Sequence, residues 1–221
     1  MTYSLAGRDP DTGDIGFAVT TSSVCVGARV GAVIDGCVVF SQARTDPRLH
    51  SVGMRKWEET QDGGQTLDAM KGAAVALHWR QLGVLPAIGE PLHFTGSSCM
   101  DFSGGLVGSD CLALGNYLGS ADVLPAMARG FEAASGHLAT RLMAGMLAGE
   151  VAGSERDPLQ SATVVVLGAD NLKDVDLRID SSALPLQDLS ELLMAWLPKA
   201  RPYRVRAIDP DAAESSSKIE H

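Results

Sequence analysis

Aromatic residues make up only 5% of this chain, and its 18 basic residues are outnumbered by 27 acidic ones. The first shortage excludes a core built on large rings, so Ala, Val, Leu and Met must fill it. The second leaves a net charge of −9. That argues against a general binder of nucleic acid or of an anionic membrane, since both need a dense basic patch. Long apolar runs are missing as well. The run ATVVVL at 162–167 is far too short to span a bilayer. The opening MTYSLAGRDP carries no basic segment followed by an apolar one, so no signal peptide is visible and a cytoplasmic location is expected. The four cysteines, Cys25, Cys37, Cys99 and Cys111, form no CxxC pair and have no histidines clustered beside them. A zinc site is therefore not expected, and reduced, buried thiols are. Phosphate-loop, dinucleotide, HExxH, GxSxG and EF-hand patterns are all absent.

Glycine is abundant, at 24 of 221 residues, and hydrophobic residues reach 45% with 20% charged. This is the composition of a folded globular protein with many tight turns. The first 43 residues read as two β-hairpins. Strands over 2–8 and 14–21 flank the turn Asp9-Pro10-Asp11-Thr12-Gly13, and strands over 28–34 and 37–43 flank Asp35-Gly36. Helical composition follows over 51–61 and 66–79, broken at Asp62-Gly63-Gly64; in the second, Leu67, Met70, Ala74 and Leu77 share a face. Residues 81–88 and 91–96 read as a strand pair, 106–118 as one strand, and 121–135 and 138–151 as two amphipathic helices. A strand at 160–168, its partner at 175–179 and a last helix at 186–197 complete the body.

Strands thus come in antiparallel blocks and helices in pairs, which disfavours a doubly wound parallel sheet. The strands are apolar on both faces. The expectation is an α+β fold, a four-layer α/β/β/α sandwich of two antiparallel sheets covered by helix pairs. Residues 1–200 form one domain, and 201–221 form an irregular, partly disordered acidic tail.

The chemistry points to the start of the chain. Methionine before a small residue is commonly removed, which leaves Thr2 with a free α-amine and a hydroxyl on one residue. Such a residue carries both nucleophile and base. An α-amine has a reference pKa of about 7.7–8.0, so part of it is neutral near neutral pH. Thr is also an ordinary second residue, so the position alone does not settle the matter.

The segment TYSLAGRDPDTGDIGFAV resembles the opening of the bacterial and archaeal domain-of-unknown-function 1028 family. Further matches follow in order: VGARVGAVIDGCVVFSQARTDP, RQLGV, FTGSSC, LALGNYLGSADVLPAMARGFE, LQSATVVVLG and DLRIDSSALPLQDLSELL. Together they cover about residues 2–197. The resemblance implies the fold and reaction class of the N-terminal-nucleophile hydrolases, not a substrate. Members usually carry Gln-Gly-Asn where this chain has Leu114-Gly115-Asn116, and larger residues where it has Thr21-Ser22-Ser23-Val24.

Each candidate has a functional and a plain reading. Asn116, at a strand end, is a side-chain donor for an oxyanion, or a turn residue capping its own backbone. Gln42 orients substrate or amine, or makes a structural hydrogen bond. Arg44 clamps a substrate carboxylate, or is an exposed loop residue. Arg29, a charge inside VGARVGAV, helps keep a nearby amine neutral, or points outward from a strand. Thr21 hydrogen-bonds near Thr2 across the hairpin. The expected activity is hydrolysis of a C–N bond in a small amide substrate by Thr2, with no metal or organic cofactor. Nucleic-acid and membrane partners are not expected, and the composition allows a homodimer. The competing reading is a non-catalytic ligand-binding or assembly protein that keeps the sandwich.

Overall fold

The computed structural model describes residues 1–220. It is a mixed α+β fold with two antiparallel sheets and, among the described residues, six α-helices. Strands β1 (Thr2–Arg8) and β2 (Ile15–Thr21) form the first hairpin. Its turn is held by Asp9, whose Oδ1 accepts from the amide of Asp11 at 3.0 Å, and closed by Gly13 at φ +78°. Strands β3 (Gly31–Ile34) and β4 (Cys37–Ala43) form the second, with Gly36 at φ +72°. Helices α1 (Arg48–Thr60) and α2 (Gly63–Ala73) follow, then β5 (Arg80–Pro86) and β6 (Leu92–Thr95). Next come β7 (Gly104–Gly108), β8 (Cys111–Asn116), α3 (Val123–Ala133) and α4 (Leu138–Val151). Strands β9 (Ser161–Leu167) and β10 (Lys173–Ile179) precede α5 (Pro185–Ile208) and a short α6 (Ser216–Glu220).

The larger sheet has the order β10-β9-β2-β1-β8-β7 and the smaller one β3-β4-β5-β6. Alternation along the strands explains why both faces are apolar. On β1, Tyr3 and Leu5 join a core cluster with Met127, Phe131, Leu142 and Met146 of the helices. Ala6, on the other face, joins a cluster that includes Phe17, Leu112 and Leu114 of the larger sheet and Val38, Phe40 and Leu85 of the smaller. Phe17 and Phe40 meet edge to face there, with ring centroids 5.6 Å apart. A third cluster joins Val39, Leu82 and Val84 to Leu49, Trp57 and Met70 of α1 and α2.

Several boundaries differ from the sequence-based expectation. The stretch expected to be one strand over 106–118 is a hairpin, because Asp110 takes a left-handed φ of 58° and turns the chain between β7 and β8. The third strand begins at Gly31, since a 3-10 turn at Val26–Ala28 uses up the residues before it. The second helix stops at Ala73, because Ala74 turns to an extended conformation, and left-handed Ala76 (φ 54°) then starts a 3-10 turn. The last helix runs through Pro198 and Pro202 to Ile208, where an irregular tail is expected from 201. His221 of that tail lies outside the described residues. No helix among them is long and apolar enough to cross a membrane.

Candidate active site

The inter-sheet core changes character along β1. Towards Arg8 it is apolar, and Arg8 itself ties the sheets by donating to the carbonyl oxygens of Pro86 and Gly89 at 2.8 and 2.7 Å. Towards Thr2 it is polar. Ser4 Oγ donates to Gln42 Oε1 at 2.8 Å, and Gln42 Nε2 donates to Gln81 Oε1 at 2.7 Å. Asn116 Nδ2 donates to the same Gln81 oxygen at 3.0 Å. The amide nitrogen of Gln81 meets Gly104 O at 2.9 Å and Gly115 O at 2.8 Å. All four residues are buried. This network fixes the orientation of each amide, because reversing Gln81 would set N–H against N–H.

Thr2 opens β1 and is 3% exposed. It pairs with Asn116 across β1 and β8. The Thr2 hydroxyl donates to the carbonyl oxygen of Met1, and so does Thr21 Oγ1, at 2.6 Å. Ser22 Oγ lies 3.8 Å from the sulfur of Met1.

A cavity of about 190 Å³ opens beside these residues, lined by Met1, Asn116, Ala43, Arg44, Trp79, Ser98, Cys99 and Met100. That is below the range of about 300–1,000 Å³ usual for small-molecule sites, so it suits only a compact ligand. The Arg44 guanidinium carbon stands 3.6 Å above the Trp79 ring, and Arg44 has no carboxylate partner among the described residues. Ala43 and Tyr117 take left-handed φ values of 68° and 61° directly after Gln42 and Asn116. Strained residues of this kind collect at functional sites.

The structure thus brings Thr2, Thr21, Asn116 and Arg44 to one place and separates the other two candidates from it. Gln42 is wholly buried with its amide engaged at both ends, so it acts only through its neighbours. Arg29 lies in the loop after the 3-10 turn rather than in a strand, and its guanidinium clasps its own loop through Val24 O, Cys25 O and Ser23 Oγ. Its charge still reaches the chain terminus. Burial lowers the terminal amine below its ordinary pKa; Glu155, Cys99 and Asp157 oppose that shift and Arg29 adds to it.

Sequence reasoning missed three participants. Gln81 sits in the quoted match RQLGV, but nothing marks it as the hub joining two sheets. Cys99 lines the cavity; burial pushes its thiol above the ordinary range, which keeps it a poor nucleophile. Glu155 is one loop acid among many, yet it is 5% exposed. Its Oε2 accepts from Ser22 N at 3.1 Å, and its Oε1 is buried without a partner. Burial drives its carboxyl up to about 7. No group of three or more His, Cys, Asp or Glu residues suited to a metal ion occurs among the described residues.

A family model described as "Family of unknown function (DUF1028)" matches residues 2–189. The crystal structure of protein SPO2555 from Silicibacter pomeroyi, titled with the same family model, is similar to this chain at a TM-score of 0.81 and 31% identity. The match covers 87% of this chain and 84% of that one. No protein of curated function matches.

Proposed function

We propose, from the premise that the chain belongs to the DUF1028 family, that it hydrolyses the C–N bond of a small amide, with Thr2 as an N-terminal nucleophile after loss of Met1. The observation that carries this reading is the register pairing of Thr2 with Asn116, which lines a cavity together with Met1 and Arg44. The three core clusters support it too. They read as four layers, with α3–α5, the larger sheet, the smaller sheet and α1–α2 in turn, as in the N-terminal-nucleophile hydrolases.

Thr2 Oγ attacks the amide carbonyl, and its proton passes to the α-amine of the same residue. The oxyanion that forms takes a hydrogen bond from Asn116 Nδ2, which has two N–H donors and gives one to Gln81. As the C–N bond breaks, the amine returns the proton to the leaving nitrogen. Water then releases the acyl group from Thr2 as a carboxylic acid. Arg44, placed over the Trp79 ring and without an acidic partner among the described residues, receives a carboxylate of the substrate.

Intact mass of the protein from its native host tests the premise of this chemistry. The expected mass is lighter by one methionine, with turnover of carboxylate-bearing amides lost in Thr2→Ala and retained in part in Thr2→Ser. Full retention of Met1 overturns the α-amine mechanism and leaves the cavity as the site of a non-catalytic binding protein.

A further inference from the structure

We propose that Glu155 is the positioning residue for the terminal amine, holding it beside the Thr21-Ser22 corner through a buried carboxylate–ammonium contact. The contact rests on the loss of Met1, because with Met1 in place the terminal amine forms no ion pair among the described residues; its catalytic consequence rests further on the reading of Thr2 as nucleophile.

The carboxylate has the marks of a group built for a partner. It is buried, it forms no ion pair with any Lys or Arg among the described residues, and one of its oxygens is unmatched. Buried carboxylates without partners are costly and rarely kept. The chain takes trouble to place it. Ser154 adopts a left-handed φ of 55°, Gly119 N donates to Ser154 O at 2.9 Å, and Glu155 itself forms a β-bridge with Leu118, two residues past Asn116.

The terminus reaches the same two residues from the other side. Thr21 holds the Met1 carbonyl, Ser22 touches the Met1 sulfur, and the Ser22 amide holds Glu155. Four groups act electrostatically on the terminal amine: Glu155, Cys99, Asp157 and Arg29. Glu155 ranks first among them, and Asp157 is exposed to water. Glu155 in turn accepts from the Ser22 amide, and the charge of the same amine acts on it.

With Met1 gone, the amine is that of Thr2, one residue further into the corner. During attack the Oγ proton moves to this amine and makes it an ammonium. A facing carboxylate stabilises that charge and aims the nitrogen lone pair at Oγ, as a buried carboxylate does for a catalytic imidazole.

The test is competitive acylation of the terminal amine across pH, read by mass spectrometry of the N-terminal peptide of the whole protein. Removing an opposite charge lowers an amine pKa, so Glu155→Gln should move the labelling midpoint down by about one unit. Asp157→Asn, at an exposed position, should leave it nearly in place. An unmoved midpoint in folded Glu155→Gln overturns the proposal, whatever Thr2→Ala does to turnover. Conversely, a moved midpoint with a fully active Thr2→Ala upholds the contact and sinks the nucleophile. If turnover is measurable, Glu155→Gln should lower kcat with KM little changed and carry the acid limb of the kcat profile to lower pH. A purely structural Glu155 would leave that limb where it was. Should Glu155→Gln not fold, acetylating the amine of the wild-type chain should shift the carboxyl 13C titration of Glu155 upward. An unmoved signal there also overturns the proposal.

Discussion

Asn116 Nδ2 lies 3.0 Å from Gln81 Oε1, although the two residues belong to different sheets. The same oxygen takes Gln42 Nε2 from the neighbouring strand. One side chain of the smaller sheet therefore sets which way an amide of the larger sheet faces. Gln81→Met keeps the volume and removes the acceptor, leaving two buried N–H groups unmatched. Each such loss costs about 1–3 kcal/mol. The midpoint of denaturant unfolding should fall accordingly with its slope unchanged.

Asn116→Ala removes the proposed oxyanion donor while leaving the β1–β8 backbone ladder intact. Loss of one such donor typically lowers kcat by about 100- to 1,000-fold with little change in KM. Steady-state kinetics on a carboxylate-bearing amide would read it. A rise confined to KM would instead mark Asn116 as a binding residue.

The proposed role of Arg44 is in affinity rather than chemistry. Arg44→Ala should raise KM for a carboxylate-bearing amide by about tenfold and leave a neutral amide unaffected, because a charge-assisted contact at an exposed rim is of that order. Arg44→Lys should not restore binding fully, since a lysine lacks the planar fork and does not lie flat on Trp79. Equal losses on both substrates would assign Arg44 to structure.

Glu155 gives stability a pH dependence of unusual sign for an acid. Burial raises its folded pKa to about 7, above the ordinary range of an unfolded glutamate. The folded state therefore binds the extra proton between those two values, and stability falls as pH rises through that window. Chemical unfolding at pH 5 and pH 8 should show a loss in the wild type that is smaller in Glu155→Gln. An identical pH dependence in the two proteins would contradict this.

Much of the architecture is legible because periodicity and turn chemistry agree. Strands β1 and β4 and helix α4 have the bounds expected from the apolar pattern and its flanking Gly and Asp residues. Where the pattern misleads, burial is right and conformation wrong. Leu77 does pack on the same cluster as Leu67 and Met70, but from a 3-10 turn beyond Ala76. The residues Gly108-Ser109-Asp110 carry turn chemistry inside an apolar run, and the run dominates the reading. At the site, Thr2 and Asn116 stand at strand ends, where sequence logic looks for function. Gln81 and Glu155 owe their positions to pairing between residues far apart in the chain, and no local signal marks either one.

The cavity has one wall from each sheet: Asn116 ends β8, whereas Ala43, Arg44 and Trp79 flank β4 and β5. Its width is therefore a caliper reading of the gap between the sheets, and the spacers that set this gap are Phe17, Phe40 and the leucines around them. Exchanging those spacers resizes the cavity from within. On the proposed function, ligand preference is then tunable by interior residues that never touch the ligand.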